Sequence, residues 1–297
     1  MNLRRNVLRR HGIGYLFVLP CAILLFAMIY NPLVQTFRFS LSTVVLPSLS
    51  THFAGFSNFG RAFGTKSISQ ILLNTLVWVV GTLVVRFVLG FVAAIAMDGR
   101  SRGILVLRVL ALIPWTVPSV VAANLWRWLF QTDFGIVNEI LRGLFGSHVA
   151  VNWLGSANTA LLSVLIAYSW AGYPFVMIML LAGMQGISVD LYDAAKIDGA
   201  SSAQTFFYVT LPSLRTIIVI LVVLEIIDGF NSFDLLFVLT AGGPGNASLI
   251  LGLYIYRLAF TNFDFGGAAA VSAAMLAVAI VLFLFYVPSS RRRGGAY

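Results

Sequence analysis

The sequence predicts an all-α integral membrane protein with six transmembrane helices, both termini in the cytoplasm and one long cytoplasmic loop. Three observations predict it. The 297 residues are 60% hydrophobic and only 10% charged, with a mean hydropathy of +0.94, which leaves too little polar surface for a water-soluble chain of this size. Apolar windows of about 20 residues, long enough to cross a hydrocarbon core, begin near Tyr15, Ile71, Leu105, Ala160, Leu214 and Gly267. The basic residues are distributed unevenly between alternate sides of these windows.

The first element is a basic cytoplasmic terminus, residues 1–14, where Arg4, Arg5, Arg9 and Arg10 precede the first span. It looks like a signal-peptide n-region, but the apolar stretch outruns an h-region and no small-residue cleavage site follows, so we read a retained helix. A membrane domain, 15–288, and a cytoplasmic tail, 289–297, complete the chain. With both termini inside, the inward cations also include Arg100, Arg102, Arg108, Lys196, Arg215, Arg291, Arg292 and Arg293, twelve in all. Six face outward (Arg38, Arg61, Lys66, Arg127, Arg142 and Arg257), and Arg86 falls within the second span. The twofold excess supports this orientation.

The net charge of +9 is scattered over short loops without a basic face or aromatic platform, which points to topology and away from nucleic acid. Cys21 is the only cysteine; it excludes an intramolecular disulfide and reads as a small buried hydrophobe. His11, His52 and His148 are far apart, so no metal or catalytic constellation is expected. The segment "GRAFGTKS" departs from the phosphate-loop pattern at Thr65, no nucleophile-elbow or zinc-protease motif occurs, and the glycine-rich turn 240–248 lacks the Lys-Ser/Thr ending. Any ATP must be hydrolysed elsewhere, and no catalytic residue is assigned.

Trp126, Trp128 and Trp153 read as headgroup-level anchors, with sugar stacking as the sharper alternative. Pro114 and Pro118 in the third span and Pro174 in the fourth predict kinks near a cavity. Gly266, Ala270 and Ala274 form a small-residue stripe suited to close packing.

The loop 185–212 reads as a soluble helical hairpin. Ser188 caps a first helix of about ten residues, Asp190 complements its dipole, and Gly199 takes the left-handed position at its end. Ser201 and Gln204 have capping-box spacing for a second helix, expected to end before Pro212. Leu191, Ala194, Ala195 and Asp198 share one side, a low-bulk face suited to docking. A connector lying on the membrane surface is the alternative.

The run "YDAAKIDGASSAQTFFYVTLP", 192–212, resembles the EAA loop of binding-protein-dependent ABC importer permeases. The matching positions are Asp193, Ala194, Ala195, Asp198, Gly199, Ala200, Phe207, Leu211 and Pro212. Asp193 replaces the usual glutamate, keeping the charge but reaching about one methylene less far. "YLFVLP", "FAGFSNFGRAF", "LLNTL", "IPWTVPSVVAANLWRWLF" and "FDLLFVLTAGGPGNAS" extend the likeness to the carbohydrate-uptake branch, nearest the maltose- and glycerol-phosphate-type first permease subunit. The resemblance implies a non-enzymatic subunit in a bacterial or archaeal cytoplasmic membrane. It further implies a second homologous permease subunit, two cytoplasmic ATPase subunits that bind ATP and Mg in place of this chain, and an extracytoplasmic solute-binding protein. In the family the loop is the coupling helix, seated in a cleft of the ATPase.

Glu225, Asp228, Asn231 and Asp234 lie in the fifth span, where ionisable groups are functional or paired by default. Steps of three residues turn a helix by about 300°, so the first three can line a broad stripe while Asp234 points nearly opposite Glu225. The first three face a hydrated pathway and accept solute hydroxyls on one reading, and pair internally, for example with Arg86, on the other; Asp234 is counted with them as a pathway candidate. Trp170 and Tyr173 are candidates for stacking on a sugar ring or for packing between helices. Two further classes stay open: an ion-coupled carrier using Glu225 and Asp228, and a membrane-embedded transferase.

Overall fold

A computed structural model describes residues 15, 17–45, 48, 50–99 and 101–291. The basic segment 1–14, with its four arginines and His11, lies outside the described residues, as do Arg100, Arg292 and Arg293. In order, the elements are α1 (Phe17–Ser40), β1 (Ser42–Val45), β2 (Ser50–Phe53), α2 (Ser57–Phe63), α3 (Ile68–Ala96), α4 (Arg102–Thr116), α5 (Ser119–Leu129), α6 (Ile136–Phe145) and α7 (Ala160–Gln185). There follow α8 (Val189–Ile197), α9 (Ser202–Thr205), α10 (Leu211–Ser213), α11 (Arg215–Asn231), α12 (Asp234–Leu239), α13 (Leu251–Tyr256) and α14 (Phe265–Arg291). The chain divides into two compact units, residues 1–65 with 255–278 and residues 66–254 with 279–297.

In the first unit, the most apolar window of α1 has no buried residue, as suits a lipid-facing helix. Cys21 is therefore exposed, which corrects the expectation of a buried thiol. The antiparallel pair β1 and β2, with Ser42 opposite Phe53 and Val45 opposite Ser50, is an addition to the all-α expectation. Its organiser is Asn58 on α2, fully buried, whose Nδ2 donates to the carbonyls of Phe39, Ser40 and Ser42. One carboxamide thereby satisfies carbonyls left open at the end of α1. A Cβ on Gly266 would sit 2.8 Å from Asn58 Nδ2 and 2.9 Å from the Ser42 carbonyl oxygen, so the first small residue of the α14 stripe admits a hairpin rather than a helix.

In the second unit, α3 and α7 form the central pair. The 29 residues of α3 extend about 44 Å, more than a hydrocarbon core requires. Glycine permits the close approach: a Cβ on Gly90 would stand 2.7 Å from Val176 Cγ1 and 3.2 Å from the Met177 backbone nitrogen. Buried Val176, Met177, Leu180, Leu181 and Met184 of α7 pack with Ala94, Ala111, Leu214 and Leu221. Trp78 of α3 is fully buried, and its Nε1 donates to Ser232 Oγ at 2.7 Å and to the Gly229 carbonyl at 3.2 Å. That bond ties α3 to the end of α11.

The third apolar window is a broken pair. Ser101 caps α4 through Ile104 N, Val117 is extended as a residue before proline must be, and Pro118 starts α5. The two helices meet at 96°. Among the described residues four helices are long and apolar enough to cross a membrane, Arg215–Leu239 counting as one, and the bent pair makes a fifth. The window expected from Gly267 falls on α14, whose apolar part is Phe265–Val281.

Two of the three anchor tryptophans are turned inward. Trp126 packs on Phe130 and edge-on to Trp170, and Phe130 packs on Trp153, while Trp153 Nε1 donates to Asn138 Oδ1. Only Trp128 of the three is exposed. Interior packing competes for the same amphipathic rings that the headgroup region favours.

Valine at Gly90 overpacks the central interface and is expected to cost about 1–3 kcal/mol, lowering the thermal midpoint of the detergent-purified protein. Gly103→Ala, where nothing lies within 4 Å, should leave the midpoint unchanged or raise it. Equal shifts in the two variants would remove the close-approach account.

Candidate functional site

The costliest polar groups converge from three helices. Arg86 of α3 is 4% exposed. Its Nη1 donates to Glu225 Oε2 at 2.7 Å and to Asp228 Oδ2 at 2.6 Å, and its Nη2 donates to the Tyr168 carbonyl at 3.1 Å. The guanidinium carbon stands 4.2 Å from the centre of the Tyr168 ring, within cation–π range. The Tyr168 hydroxyl donates to Asp228 Oδ2 at 2.7 Å. One guanidinium thus bonds two carboxylates.

Local spacing explains the geometry. Glu225 and Asp228 are three residues apart on α11, about 60° around the helix, so one fork-shaped donor reaches both. Tyr168 and Gly172 are four apart on one face of α7. A Cβ on Gly172 would stand 2.1 Å from Arg86 Cζ, so the guanidinium fits only because that residue is glycine. Glu225 is sealed, whereas the Asp228 side chain is 52% exposed.

The cluster opens on a cavity of about 320 Å3, lined by Arg86, Pro114, Trp115, Val117, Ser119, Tyr168, Ala171, Gly172, Phe175, Leu224, Glu225, Asp228 and Leu235. The last turn of α4 supplies Pro114 and the break after it Val117 and Ser119, as expected for Pro114; Pro118 and Pro174 are not among the lining residues, and α7 runs unbroken through Pro174.

Of the six pathway candidates read from the sequence, Glu225 and Asp228 line this cavity, joined to Arg86 as the internal-pairing alternative foresaw. Asn231 is exposed, and its Nδ2 donates back to the Ile227 carbonyl. Asp234 lies beyond a break at Ser232, where ψ is 125°, and opens α12, so the phase expected from a continuous helix does not apply. Trp170 packs against Trp126, and the Tyr173 hydroxyl donates to the Ala111 carbonyl. These four are not among the lining residues. Tyr168 was not read from the sequence, nor was Gly172 as a contact; their four-residue spacing in a span facing Arg86 was the available signal.

The loop 185–212 folds as a self-capped hairpin. Ser188 Oγ accepts from Asp190 N, and Gly199 has φ +74°. Gly199 N donates to the Lys196 carbonyl and Ala200 N to the Ala195 carbonyl, a complete Schellman closure. Both bonds of the Ser201–Gln204 capping box are present. The low-bulk face is split, because Ala195 is buried while Leu191, Ala194 and Asp198 are exposed. Asp193 pairs with Lys196 at 3.0 Å. Phe207 is 60% exposed, while its neighbour Phe206 packs edge-on to Phe91 of α3.

The second helix does not end before Pro212. It passes through a π-helical turn, Phe206–Thr210, into α10, which contains Leu211 and Pro212. The wider turn relieves the clash a proline ring makes with the carbonyl four residues back. A second cavity, of about 640 Å3, is lined by residues including Asp98, Arg108, Val189 and Tyr192, and Arg108 caps the end of α3 through the Met97 and Gly99 carbonyls.

The family model for the binding-protein-dependent transport system inner membrane component matches residues 86–294. The chain belongs to that family. The trehalose/maltose transport system permease protein of Thermococcus litoralis is 33% identical over 285 residues, 96% of each chain. The sulfoquinovosyl glycerol transport system permease protein of Agrobacterium fabrum is 31% identical, covering 93% of this chain and 89% of that protein. A chain of a bacterial ABC transporter involved in import of the acidic polysaccharide alginate shares the fold, with a TM-score of 0.84, 23% identity and coverage of 97% and 98%. The chain is thus a multi-pass membrane component of a transport system, carrying both a polar cavity and a hairpin that matches the EAA pattern.

Arg86→Met leaves Glu225 buried and uncompensated, an expected loss of about 3–5 kcal/mol read as a lower thermal midpoint. Combining it with Glu225→Met should recover most of the loss. A double variant that melts as low as the single one refutes the coupling.

Proposed function

We propose that this chain is the membrane-spanning permease subunit of an ATP-driven carbohydrate importer in a bacterial or archaeal cytoplasmic membrane, six-spanning with both termini inside. It forms half of the solute pathway. The observation that carries the reading is the end-to-end likeness to a trehalose/maltose permease. A second homologous permease completes the pathway, two copies of a cytoplasmic ATPase bind ATP and Mg, and an extracytoplasmic protein delivers the solute. The alginate importer, whose structure was solved with an alginate pentasaccharide-bound periplasmic protein, supports that last partner.

In this reading the hairpin, residues 185–212, is the coupling element. Exposed Val189, Leu191, Ile197, Phe207 and Tyr208 offer an apolar surface to a cleft of the ATPase, and Asp193, Ala194, Asp198 and Gly199 lie on its exposed side. Ala195 and Ala200 act within the hairpin through the Schellman bond, and Leu211 and Pro212 carry it into α11. Closure of the ATPase pair rocks the hairpin and with it the walls of the cavity. Glu225 and Asp228 are the pathway residues at that cavity; Asn231, Asp234, Trp170 and Tyr173 act outside it.

Co-purification from native membrane tests the assembly, and a Gly199→Pro variant tests the coupling. Proline removes the Gly199 N–H bond and cannot adopt φ +74°. An ATPase subunit should accompany wild type and variant alike, and solute-stimulated hydrolysis should fall to the basal rate in the variant only. A chain that purifies alone and transports without ATP overturns the proposal.

A further inference from the structure

We propose that the cavity bordered by α3, α4, α7 and α11 admits uncharged polyhydroxylated solutes and turns away anionic ones, with Asp228 as the acceptor that decides the matter and Gly172 as the residue that positions Arg86. The inference rests on the reading of the chain as a carbohydrate permease and narrows its substrate class.

A cavity that recognises acids needs a cation with donors to spare. Arg86 is the one cation among the cavity's described lining residues; it is 4% exposed, and its single charge is already engaged by two carboxylates. Three of its five N–H groups are bonded, both on Nη1 to Glu225 and Asp228 and one on Nη2 to the Tyr168 carbonyl. Its Nε is buried and without a partner, close against Gly172, whose Cβ position lies 2.2 Å from it. An entering carboxylate, sulfonate or phosphate therefore meets a buried cation whose charge is already outnumbered by carboxylates.

The group it does meet is a carboxylate. Asp228 uses Oδ2 for both Arg86 and Tyr168, which leaves Oδ1 without a partner among the described residues on a side chain 52% exposed. A solute hydroxyl donates to Oδ1, whereas a solute anion is repelled by it. With Glu225 counted, two carboxylates stand against one guanidinium, so the field at the cavity has the wrong sign for an acid. Trp115, 53% exposed at the cavity wall, adds the apolar ring face on which the C–H face of a pyranose packs. At about 320 Å3 the space is at the small end of ligand sites, which run from roughly 300 to 1,000 Å3, and accommodates one or two sugar units.

The test uses the complete importer in nanodiscs, without its binding protein, titrated calorimetrically with maltose, trehalose and raffinose and with the same sugars oxidised at a primary hydroxyl to the uronate. At least one uncharged sugar should bind, with its uronate weaker by about tenfold or more. Asp228→Asn should narrow that gap to about threefold or less. The inference is overturned if the uronate binds wild type as well as its parent, if Asp228→Asn leaves the ratio unchanged, or if none of the uncharged sugars binds. In each of those cases an ATPase that still co-purifies leaves the importer reading standing. A preparation without an ATPase subunit overturns that reading, and this inference with it.

Discussion

The second unit depends on a single act of charge compensation inside the membrane. Three ionised side chains at that depth are a severe cost, and the helices that carry them are held wherever the charges can meet. Arg86 brings α3 to α11, and its contacts with the Tyr168 carbonyl and ring bring α7 to both. The apolar contacts around it, from Val79 against Gly229 to Val176 against Gly90, then pack around a fixed electrostatic centre. Lipid offers no hydrophobic drive for helix association, so polar bonds and close backbone approach must supply specificity.

The same compensation is incomplete at its open edge. Glu225 is buried and bonded through Oε2, but Asp228 shares one oxygen between two donors on a side chain 52% exposed at the cavity. A buried ion pair and an exposed carboxylate are thus built from one set of atoms. The break in the third span places proline and serine groups opposite that edge, and breaks of this kind are tolerated at depth where they border protein or a cavity.

How much was legible in the sequence depended on how local the deciding interaction is. The hairpin 185–212 was readable almost residue by residue, because capping and a left-handed glycine are settled within six positions: Ser188, Gly199, Ser201 and Gln204 stand as read. The passage through Pro212 was not, since whether a helix accommodates a proline depends on a π-helical turn that no propensity announces. Glu225 and Asp228 were readable as costly groups, and Arg86 as a partner, from burial cost alone. Tyr168 and Gly172 escaped because the rotational phase of α7 against α3 is set by packing between segments about 80 residues apart. Asn231, Asp234, Trp170 and Tyr173 were grouped with the pathway by their type; none of the four lines the cavity at Arg86, Trp170 packing on Trp126 and Tyr173 donating to the Ala111 carbonyl. Asn74 and Thr75, within "LLNTL", hold the glycine-rich turn through the Asn246 and Leu249 carbonyls and Leu251 N, so two stretches that resembled the family separately are one structural unit.

The π-helical turn at Phe206–Thr210 makes the route from hairpin to cavity mechanically continuous. Backbone bonds from Leu214 N to the Thr210 carbonyl and from Ile218 N to the Leu214 carbonyl carry the chain past Pro212 and through the turn at Leu214, where ψ is −3°, into α11. About 27 Å of rod separates Thr210 from Asp228 at 1.5 Å per residue. A displacement of its hairpin end is carried towards the carboxylates through bonded backbone, and the turn at Leu214 is the point on that path where it can bend.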